Sequence, residues 1–463
     1  MPLNQLIRYP DIVPLIPGTG VQFLDFGFRI EKNTPVPQEW GVQDGKAQFD
    51  SGPVPQFVRR GDEESQRTES YVLEVRDLLQ MFDRVWVPIP LFRRELSGGF
   101  FRGPLNWARI YWLKLAQPDA DGNPYRLVLA LDTTLLEFID SDAYLAPSPA
   151  DARNGRPFAL PGHEEPIDWF YRDGWIKDWC LELFKDMHER AERSRRGSYS
   201  FKPFTSEELH ELMQGSNEHL ARYKALIDLL HSLNVLPSFA FVDRITDPRP
   251  DPVDVDLVLD LGNSRTCGLL IESEPDQPSV DVNKAFRLQL RDLSKPEQVY
   301  GEPFASRFEF ARAQFGRDHL SLRSGRSNAF DWPTVVRVGN EAAHLAARRS
   351  GSEGASGLSS PKRYLWDGDQ RRDSWRFNSN SAVGDRSDVA TGVAFTTLVN
   401  DSGQPIHRLS QVDSTPDQLF PSIRALYARR HLTAFALSEV FVQAISMINS
   451  PMHRLRRAAN ASL

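Results

Sequence analysis

Apolar residues first recur in the short runs that are typical of strands. Residues 20–30, 105–116 and 125–135 are rich in β-branched and aromatic side chains. The last two runs are separated by the turn sequence PDADGN at residues 118–123. This turn predicts that they pair as antiparallel neighbours in one sheet.

Two longer segments, residues 167–193 and 205–236, instead repeat their apolar residues at helical spacing. Thr205 and Glu208 stand three residues apart at the start of the second segment, which is the spacing of a capping box. The first segment carries an aromatic-rich stripe, and we interpret it as packing into a core rather than as a groove for a partner. Its members are Trp169, Phe170, Trp175, Ile176, Trp179, Cys180, Leu183, Phe184 and Met187.

Strand-like patterns return in the second half of the chain. Residues 255–261 have the length and composition of a buried strand, and residues 267–271 resume as a second strand after a turn. A short strand at 334–338 precedes a turn and a short helix at 341–348. The apolar pattern of residues 431–449 predicts a final helix. Five of its residues are expected to be buried, namely Leu432, Phe435, Phe441, Ile445 and Ile448.

The length of 463 residues exceeds what one hydrophobic core usually holds. Three prolines and three acids gather in DRITDPRPDP at residues 243–252, between periodic segments. We therefore predict an N-terminal α+β domain at residues 1–243, a linker at 244–252 and a second, α/β domain at 253–463.

Composition narrows the class of protein. Hydrophobic residues make up 40% and charged residues 25%, as in soluble globular proteins, and the net charge of −7 argues against a nucleic-acid partner. Cys180 and Cys267 fall in different predicted domains, which argues against a disulfide, and we interpret Cys267 as a small buried residue. No signal peptide or membrane-spanning run is evident, so we predict a cytoplasmic protein, with secretion by a signal-less route left open.

The turn between the strands at 255–261 and 267–271 carries the candidate chemistry. Its acid is Asp260, and the turn itself reads Gly262, Asn263, Ser264, Arg265 and Thr266. Glycine and small polar residues expose backbone amides and hydroxyls to an anion, and a nearby carboxylate suits a hydrated cation. The pattern alone is equally that of an ordinary hairpin. The sequence contains no P-loop motif and no Cys/His spacing typical of zinc.

Three segments together resemble the actin-like ATPase superfamily, which includes actin, sugar kinases and the seventy-kilodalton heat-shock chaperones. LDLGNSRT at residues 259–266 is similar to the first phosphate loop of that superfamily. WPTVV at 332–336 with VGNEAA at 338–343 looks like the following strand and helix of the chaperones. PKRYL at 361–365 looks like the segment that bears their catalytic lysine.

A closer resemblance is to the SrfB family of bacterial proteins regarded as virulence factors and suspected of this ATPase fold. It rests on GVQFLD at residues 20–25, on LDLGNSRTCGLLIE at 259–272, and on residues 442–451. The resemblance implies that residues 253–463 form the first, RNase H-like lobe of the fold. The second lobe would lie beyond the last residue, so we expect a truncated product, a fragment, or a chain completed by a second chain.

The resemblance also implies roles for the site residues. Backbone amides of residues 262–265 and the hydroxyls of Ser264 and Thr266 would hold the phosphates of ATP, while Asp260 would hold Mg²⁺ through water. Lys362 would stabilise the transferring phosphoryl group or orient the attacking water. Arg265 would either contact phosphate or obstruct it. The alternative hypothesis is a non-catalytic interaction or scaffold protein that retains the fold.

Overall fold

The three-dimensional structure is a computed structural model of the chain. It describes residues 6–30, 39–44, 55–59, 67–95, 103–137, 145–162, 174–196, 217–242, 253–273, 285–316, 328–349, 356–378, 388–390, 415–419 and 426–461, together with residues 167, 170, 204, 205, 207, 208, 326, 400, 404, 406 and 409. The fold is mixed α/β, with several small sheets and seven α-helices among these described residues. The predicted linker at 244–252 lies outside them, and the division into two domains stays a prediction.

The described residues of the first half of the chain form three sheets and four α-helices. One sheet has the order β2-β9-β8-β6, a second has the order β1-β11-β10-β7, and a third has the order β4-β3-β5. The strands are β1 Ile12–Leu15, β2 Val21–Phe28, β3 Glu39–Asp44, β4 Pro55–Arg59, β5 Arg67–Val72, β6 Trp86–Pro88, β7 Phe92–Arg93, β8 Ala108–Lys114, β9 Tyr125–Asp132, β10 Phe158–Ala159 and β11 Ser238–Phe241. The helices are α1 Val75–Phe82, α2 Pro149–Arg153, α3 Gly174–Arg196 and α4 Glu218–Leu233.

In the second half, the part of the chain that the structure describes forms three smaller sheets and three α-helices. Their strand orders are β12-β13-β14 with β17 also paired to β13, β15-β16, and β19-β18-β20. The strands are β12 Asp254–Leu261, β13 Arg265–Ser273, β14 Phe286–Arg287, β15 Leu290–Arg291, β16 Val299–Tyr300, β17 Phe304–Ala305, β18 Arg307–Phe310, β19 Val336–Val338 and β20 Gly357–Ser359. The helices are α5 Gly339–Arg348, α6 Arg429–Asn449 and α7 Pro451–Ala461, and short 3-10 helices occupy Pro361–Tyr364 and Pro416–Leu419.

The sheet of β2, β9, β8 and β6 is buried on both faces. Strands β8 and β9 pair antiparallel, as the turn at 118–123 predicted. One face joins a core with helices α1, α3 and α4. The other face packs against side chains from the second half of the chain, including Leu293, Phe315, Phe330 and Trp332. Residues on the two sides of the predicted linker therefore share a hydrophobic core.

Helix α3 confirms the interpretation that its aromatic-rich stripe packs into a core, while Trp169 lies outside the described residues. From Trp175 to Met187, every aromatic or aliphatic member of the α3 stripe is buried. The capping box at Thr205 and Glu208 is present, with Glu208 N donating to Thr205 Oγ1 over 3.2 Å. The prediction of one helix across 205–236 was too long, because α4 begins after Asn217, which is not helical. Residues 209–216 lie outside the described part of the chain.

Strands β12 and β13 form the predicted hairpin in continuous antiparallel register. The prediction of a buried strand was wrong, because side chains of β12 alternate between a half-buried and an exposed face. Leu257 and Leu259 pack towards the core of the second half, while Val258 and Asp260 face solvent. Cys267, opposite Asp260, is also exposed rather than buried, and it is a free thiol.

Helix α6 confirms the predicted last long helix, but its burial is uneven. Leu432 and Phe435 are in the core, whereas Phe441 and Ile445 are 51% and 48% exposed, contrary to the prediction that they are buried. By length and composition α6 is the one helix of the described residues apolar enough to cross a membrane, and 33% of its most apolar window is buried. A single helix of this kind is weak evidence for a membrane span.

Buried charges connect the two halves of the chain. Arg291 donates two hydrogen bonds to Asp25 on β2, over 3.0 and 2.6 Å, and its guanidinium also lies over the Phe23 ring. Gln443 of α6 pairs with both backbone groups of Arg291 and donates to Glu439 over 3.0 Å. Glu439 accepts a further bond from Arg337 over 2.9 Å. A continuous polar chain thus runs from β2 through α6 to β19.

Two buried carboxyl groups meet beneath helix α5. Glu341 Oε1 and Asp292 Oδ1 both accept a hydrogen bond from the backbone N–H of Ser294, over 2.9 and 3.0 Å. Burial, followed by the nearby charge of Asp292, raises the pKa of Glu341 to about 8. Burial likewise raises the pKa of Asp292. Because burial and the adjacent Asp292 both disfavour its ionised form, Glu341 keeps its proton at neutral pH.

We expect Asp25→Ala to lower the free energy of unfolding by about 3–5 kcal/mol, because it leaves the buried Arg291 guanidinium without its anion. Urea denaturation measures the change. The control is Arg287→Ala, which removes an exposed ion pair with Glu302 and should change stability by no more than about 0.5 kcal/mol. Equal effects of the two substitutions would contradict the role of the buried pair.

The pKa of Glu341 predicts a pH dependence of stability. Between pH 4.5, its ordinary pKa, and about 8 the folded protein holds a proton that the unfolded chain releases. The free energy of unfolding should therefore fall as pH rises through this window. Glu341→Gln should flatten that decline, since the amide does not ionise, whereas Glu302→Gln on the surface should leave the slope as in the wild type. Denaturation midpoints from pH 4.5 to 8.5 measure the slopes.

Candidate functional site

The tip of the β12–β13 hairpin is closed by a tight turn at Gly262. The Gly262 N–H donates to the Arg265 carbonyl over 3.0 Å. A Cβ at position 262 would lie only 2.4 Å from that carbonyl oxygen, so no other residue fits without moving the backbone. The turn presents Asn263, Ser264 and Arg265 to solvent. These are three of the five residues predicted to bind phosphate.

Ser306, between β17 and β18, ties the hairpin tip to the rest of the site. Its hydroxyl donates to the Gly262 carbonyl over 2.8 Å and lies 2.8 Å from the Thr266 hydroxyl. Its backbone N–H donates to the Ser264 carbonyl, and its carbonyl accepts from the Ser360 N–H. Thr266 is consequently buried, with its hydroxyl directed at Ser306 and not at solvent. Sequence reasoning missed Ser306, because a lone serine 40 residues from the turn carries no motif.

Lys362 lies at the hairpin tip in the folded chain. Its ammonium group donates to the carbonyl of Leu261 over 2.8 Å, although the two residues are 101 positions apart. Asp260 precedes Leu261 directly and lies on the exposed face of β12. The predicted lysine, acid and turn residues therefore meet at one end of one hairpin.

The segment that carries Lys362 is anchored at both ends. Ser360 takes the left-handed conformation, with φ 53°, immediately before Pro361. After the 3-10 turn, Asp367 accepts a side-chain bond from Arg429 over 3.1 Å, and its carbonyl accepts from the Arg430 N–H at the start of α6. Between these anchors Trp366 is 92% exposed. The lysine thus sits on an anchored loop that also carries an exposed tryptophan four residues further along the chain.

The residues present fit a hydrated magnesium ion better than a dedicated protein cage. Among the described residues, no three His, Cys, Asp or Glu side chains meet in a metal-holding arrangement. Asp260 is a single exposed carboxylate. Mg²⁺ retains several waters and commonly takes one or two carboxylates together with the phosphates of its ligand. Asp260 could meet that requirement through water, with the phosphate oxygens supplied by a nucleotide.

The fold and the site together define a mixed α/β protein whose exposed hairpin tip is paired with a distant lysine. A family model described as "Virulence factor SrfB" matches residues 2–462 of the chain. The protein therefore belongs to the SrfB family, which indicates an association with virulence. No curated protein and no solved structure matches the chain.

We expect Ser306→Ala to loosen the hairpin tip. The substitution removes the bond to the Gly262 carbonyl and leaves the buried Thr266 hydroxyl unpaired, which should cost about 1–3 kcal/mol. Amide hydrogen exchange of residues 262–266 should accelerate relative to the wild type. The control is Ser359→Ala, an exposed serine three positions from Lys362, which should leave exchange at the tip unchanged. Wild-type exchange in Ser306→Ala would contradict the anchoring role.

Proposed function

We propose that this SrfB protein binds Mg-ATP at the tip of the β12–β13 hairpin, as an ATPase or as a nucleotide-dependent switch. The proposal combines the turn at Gly262 with Lys362 and Asp260. It retains the hypothesis that residues 253–463 form the first lobe of an actin-like fold. It also retains a cytoplasmic location, with nucleotide and protein ligands rather than nucleic acid.

The single observation that supports this function most is the hydrogen bond from Lys362 to the Leu261 carbonyl. A long lysine side chain directed at a backbone carbonyl beside a glycine turn puts a positive charge where phosphate would sit. Arg265, also exposed, donates to the Pro303 carbonyl over 3.2 Å, so its guanidinium is held to the side of the turn. This position favours a contact with phosphate over an obstruction.

Each residue then has a chemical role. Lys362 would exchange its carbonyl partner for a phosphate oxygen and stabilise charge on the transferring group. Backbone amides around Asn263 and the hydroxyl of Ser264 would bind the terminal phosphates. Asp260 would orient the waters of Mg²⁺. Thr266 would support the turn through Ser306 rather than touch the nucleotide.

The site as described is open to solvent, which favours completion by another protein segment. Val258, Asp260 and Leu269 lie on the outer face of the hairpin, and Trp366 projects beside Lys362. Phosphoryl transfer requires water to be excluded and the phosphates to be enclosed. A second chain, or a further segment, would supply the opposite wall. Binding of nucleotide would then control how the two parts associate, which is one route by which the protein could act in virulence.

The test is titration calorimetry of Mg-ATP into the folded protein. Asp260→Ala and Lys362→Ala should each weaken binding by about tenfold or more, because each removes a charge next to the phosphates. Asp256→Ala and Arg363→Ala are matched controls, since both are exposed neighbours of the same charge and should leave affinity unchanged. Absence of binding by the wild type, alone and with a completing chain, would overturn the proposal.

A second candidate function is a non-catalytic interaction protein. It is favoured by the exposed apolar side chains, with Phe441 and Ile445 one helical turn apart on α6 and Trp366 on the lysine loop. Neighbouring exposed apolar side chains such as Phe441 and Ile445 are typical of interaction surfaces. In that case the calorimetric titration would give no heat with Mg-ATP, and Asp260→Ala would behave as the wild type does.

A further inference from the structure

Ser294, His344 and Asp292 lie in the order of a nucleophile, a base and an orienting acid. The Ser294 hydroxyl is 2.9 Å from His344 Nε2. The other ring nitrogen, Nδ1, is 3.3 Å from Asp292 Oδ2. The three residues come from the loop after β15 and from α5, 50 positions apart, and none of them belongs to the hairpin site.

Solvent exposure falls from Ser294 to His344 to Asp292, as nucleophilic catalysis requires. Ser294 is exposed, the His344 side chain is 21% exposed, and the Asp292 side chain is 0% exposed. A nucleophile must reach a ligand, while its orienting carboxylate must be shielded from water to hold the imidazole firmly. His344 Nδ1 lies 3.3 Å from Asp292 Oδ2 without forming a hydrogen bond, and catalytic hydrogen bonds are often poorly aligned before a ligand binds.

The acid is held in place by its own loop. Asp292 Oδ1 accepts bonds from the backbone N–H groups of Ser294 and Lys295, over 3.0 and 2.9 Å, and from the Ser294 hydroxyl over 2.8 Å. Its second oxygen, Oδ2, has no hydrogen-bond partner and faces the histidine. The serine proton therefore has two acceptors, Asp292 Oδ1 and His344 Nε2. Rotation of the hydroxyl selects between them.

The protonation states also suit a general base. Burial lowers the pKa of His344, the charges of Lys295 and Arg348 lower it further, and Asp292 and a hydrogen bond with the Asn340 backbone oppose them. The imidazole is therefore neutral at pH 7 and can accept a proton. Burial and the nearby Asp292 raise the pKa of Glu341 to about 8, so Glu341 keeps its own proton at pH 7.

We infer that Ser294, His344 and Asp292 form a second, esterase-like site that reacts with short carboxylic esters. Ser294 Oγ would attack the ester carbonyl carbon while His344 Nε2 takes the hydroxyl proton. The bond from that carbon to the leaving oxygen breaks, and the proton passes from His344 to the leaving alcohol. Water, deprotonated by His344, then cleaves the acyl-Ser294 bond, which releases the acid and restores the serine.

The surroundings indicate the class of ester. Ser294 lies on an open surface, so a short acyl group suffices to reach it. Lys295 and Arg348 place two positive charges around His344. These charges favour an ester with an anionic group, and they would also stabilise the negative oxygen of the tetrahedral intermediate. Asp292 acts through His344 and is a positioning residue.

The site can be tested with a fluorophosphonate probe and intact-protein mass spectrometry. Ser294 Oγ would displace fluoride from phosphorus, and the proton would leave with the fluoride. We expect one adduct per chain in the wild type, mapped to Ser294 by peptide sequencing. Ser294→Ala should abolish the adduct, and His344→Gln should slow its formation about 100-fold. The control is Ser194→Ala, an exposed serine on α3, which should be labelled as the wild type is.

The role of Asp292 is tested by the pH dependence of labelling. The rate should rise as His344 loses its proton, with its midpoint below pH 6.5, the ordinary value. Asp292→Asn should move that midpoint lower, because it removes the negative charge that favours the protonated ring. Absence of an adduct in the wild type, an adduct at another residue, or equal labelling of His344→Gln would overturn the inference.

Discussion

The buried ion pair between Asp25 and Arg291 is the interaction on which the arrangement of this protein depends. A buried carboxylate and guanidinium must remain paired, because either one alone would bear a large desolvation cost. Asp25 lies on β2 in the first half, and Arg291 ends β15 in the second. The pair therefore determines where the second half of the chain packs against the sheet of β2, β9, β8 and β6, which is buried on both faces. Gln443 and Glu439 extend the same constraint into helix α6.

The hydrogen bonds that run from Asp25 through Arg291 to Gln443 and Glu439 position the elements that carry both candidate sites. Asp292 follows Arg291 directly. The hydrogen bonds that hold Arg291 to Asp25 therefore also orient the loop that carries Ser294. Helix α6, held by Gln443 and Glu439, receives the lysine loop at its first turn through Asp367. The hairpin tip is joined to that loop by Ser306. Side chains that do no chemistry themselves thus determine which reactive groups can meet.

Local patterns predicted the elements well where neighbours in sequence decide the outcome. The β8–β9 turn, the β12–β13 hairpin, α5, α6 and the Thr205 capping box were all predicted from nearby residues. Predictions failed where burial depends on distant packing. An apolar residue in a strand or helix can face either a core or solvent, so Val258, Cys267 and Phe441 were wrongly placed inside. No local pattern singled out Asp25 as half of a buried ion pair, since its partner is 266 positions away.

The sequence by itself determined the family, the tight turn at Gly262 and the hairpin around it. Such features depend on backbone preferences and on neighbouring side chains, which a linear pattern records. Only the tertiary structure decided that Lys362 reaches Leu261, that Ser306 closes the hairpin tip, and that Ser294, His344 and Asp292 meet. Each of these contacts joins residues far apart in the chain, and packing of the intervening segments, which no local pattern encodes, brings them together.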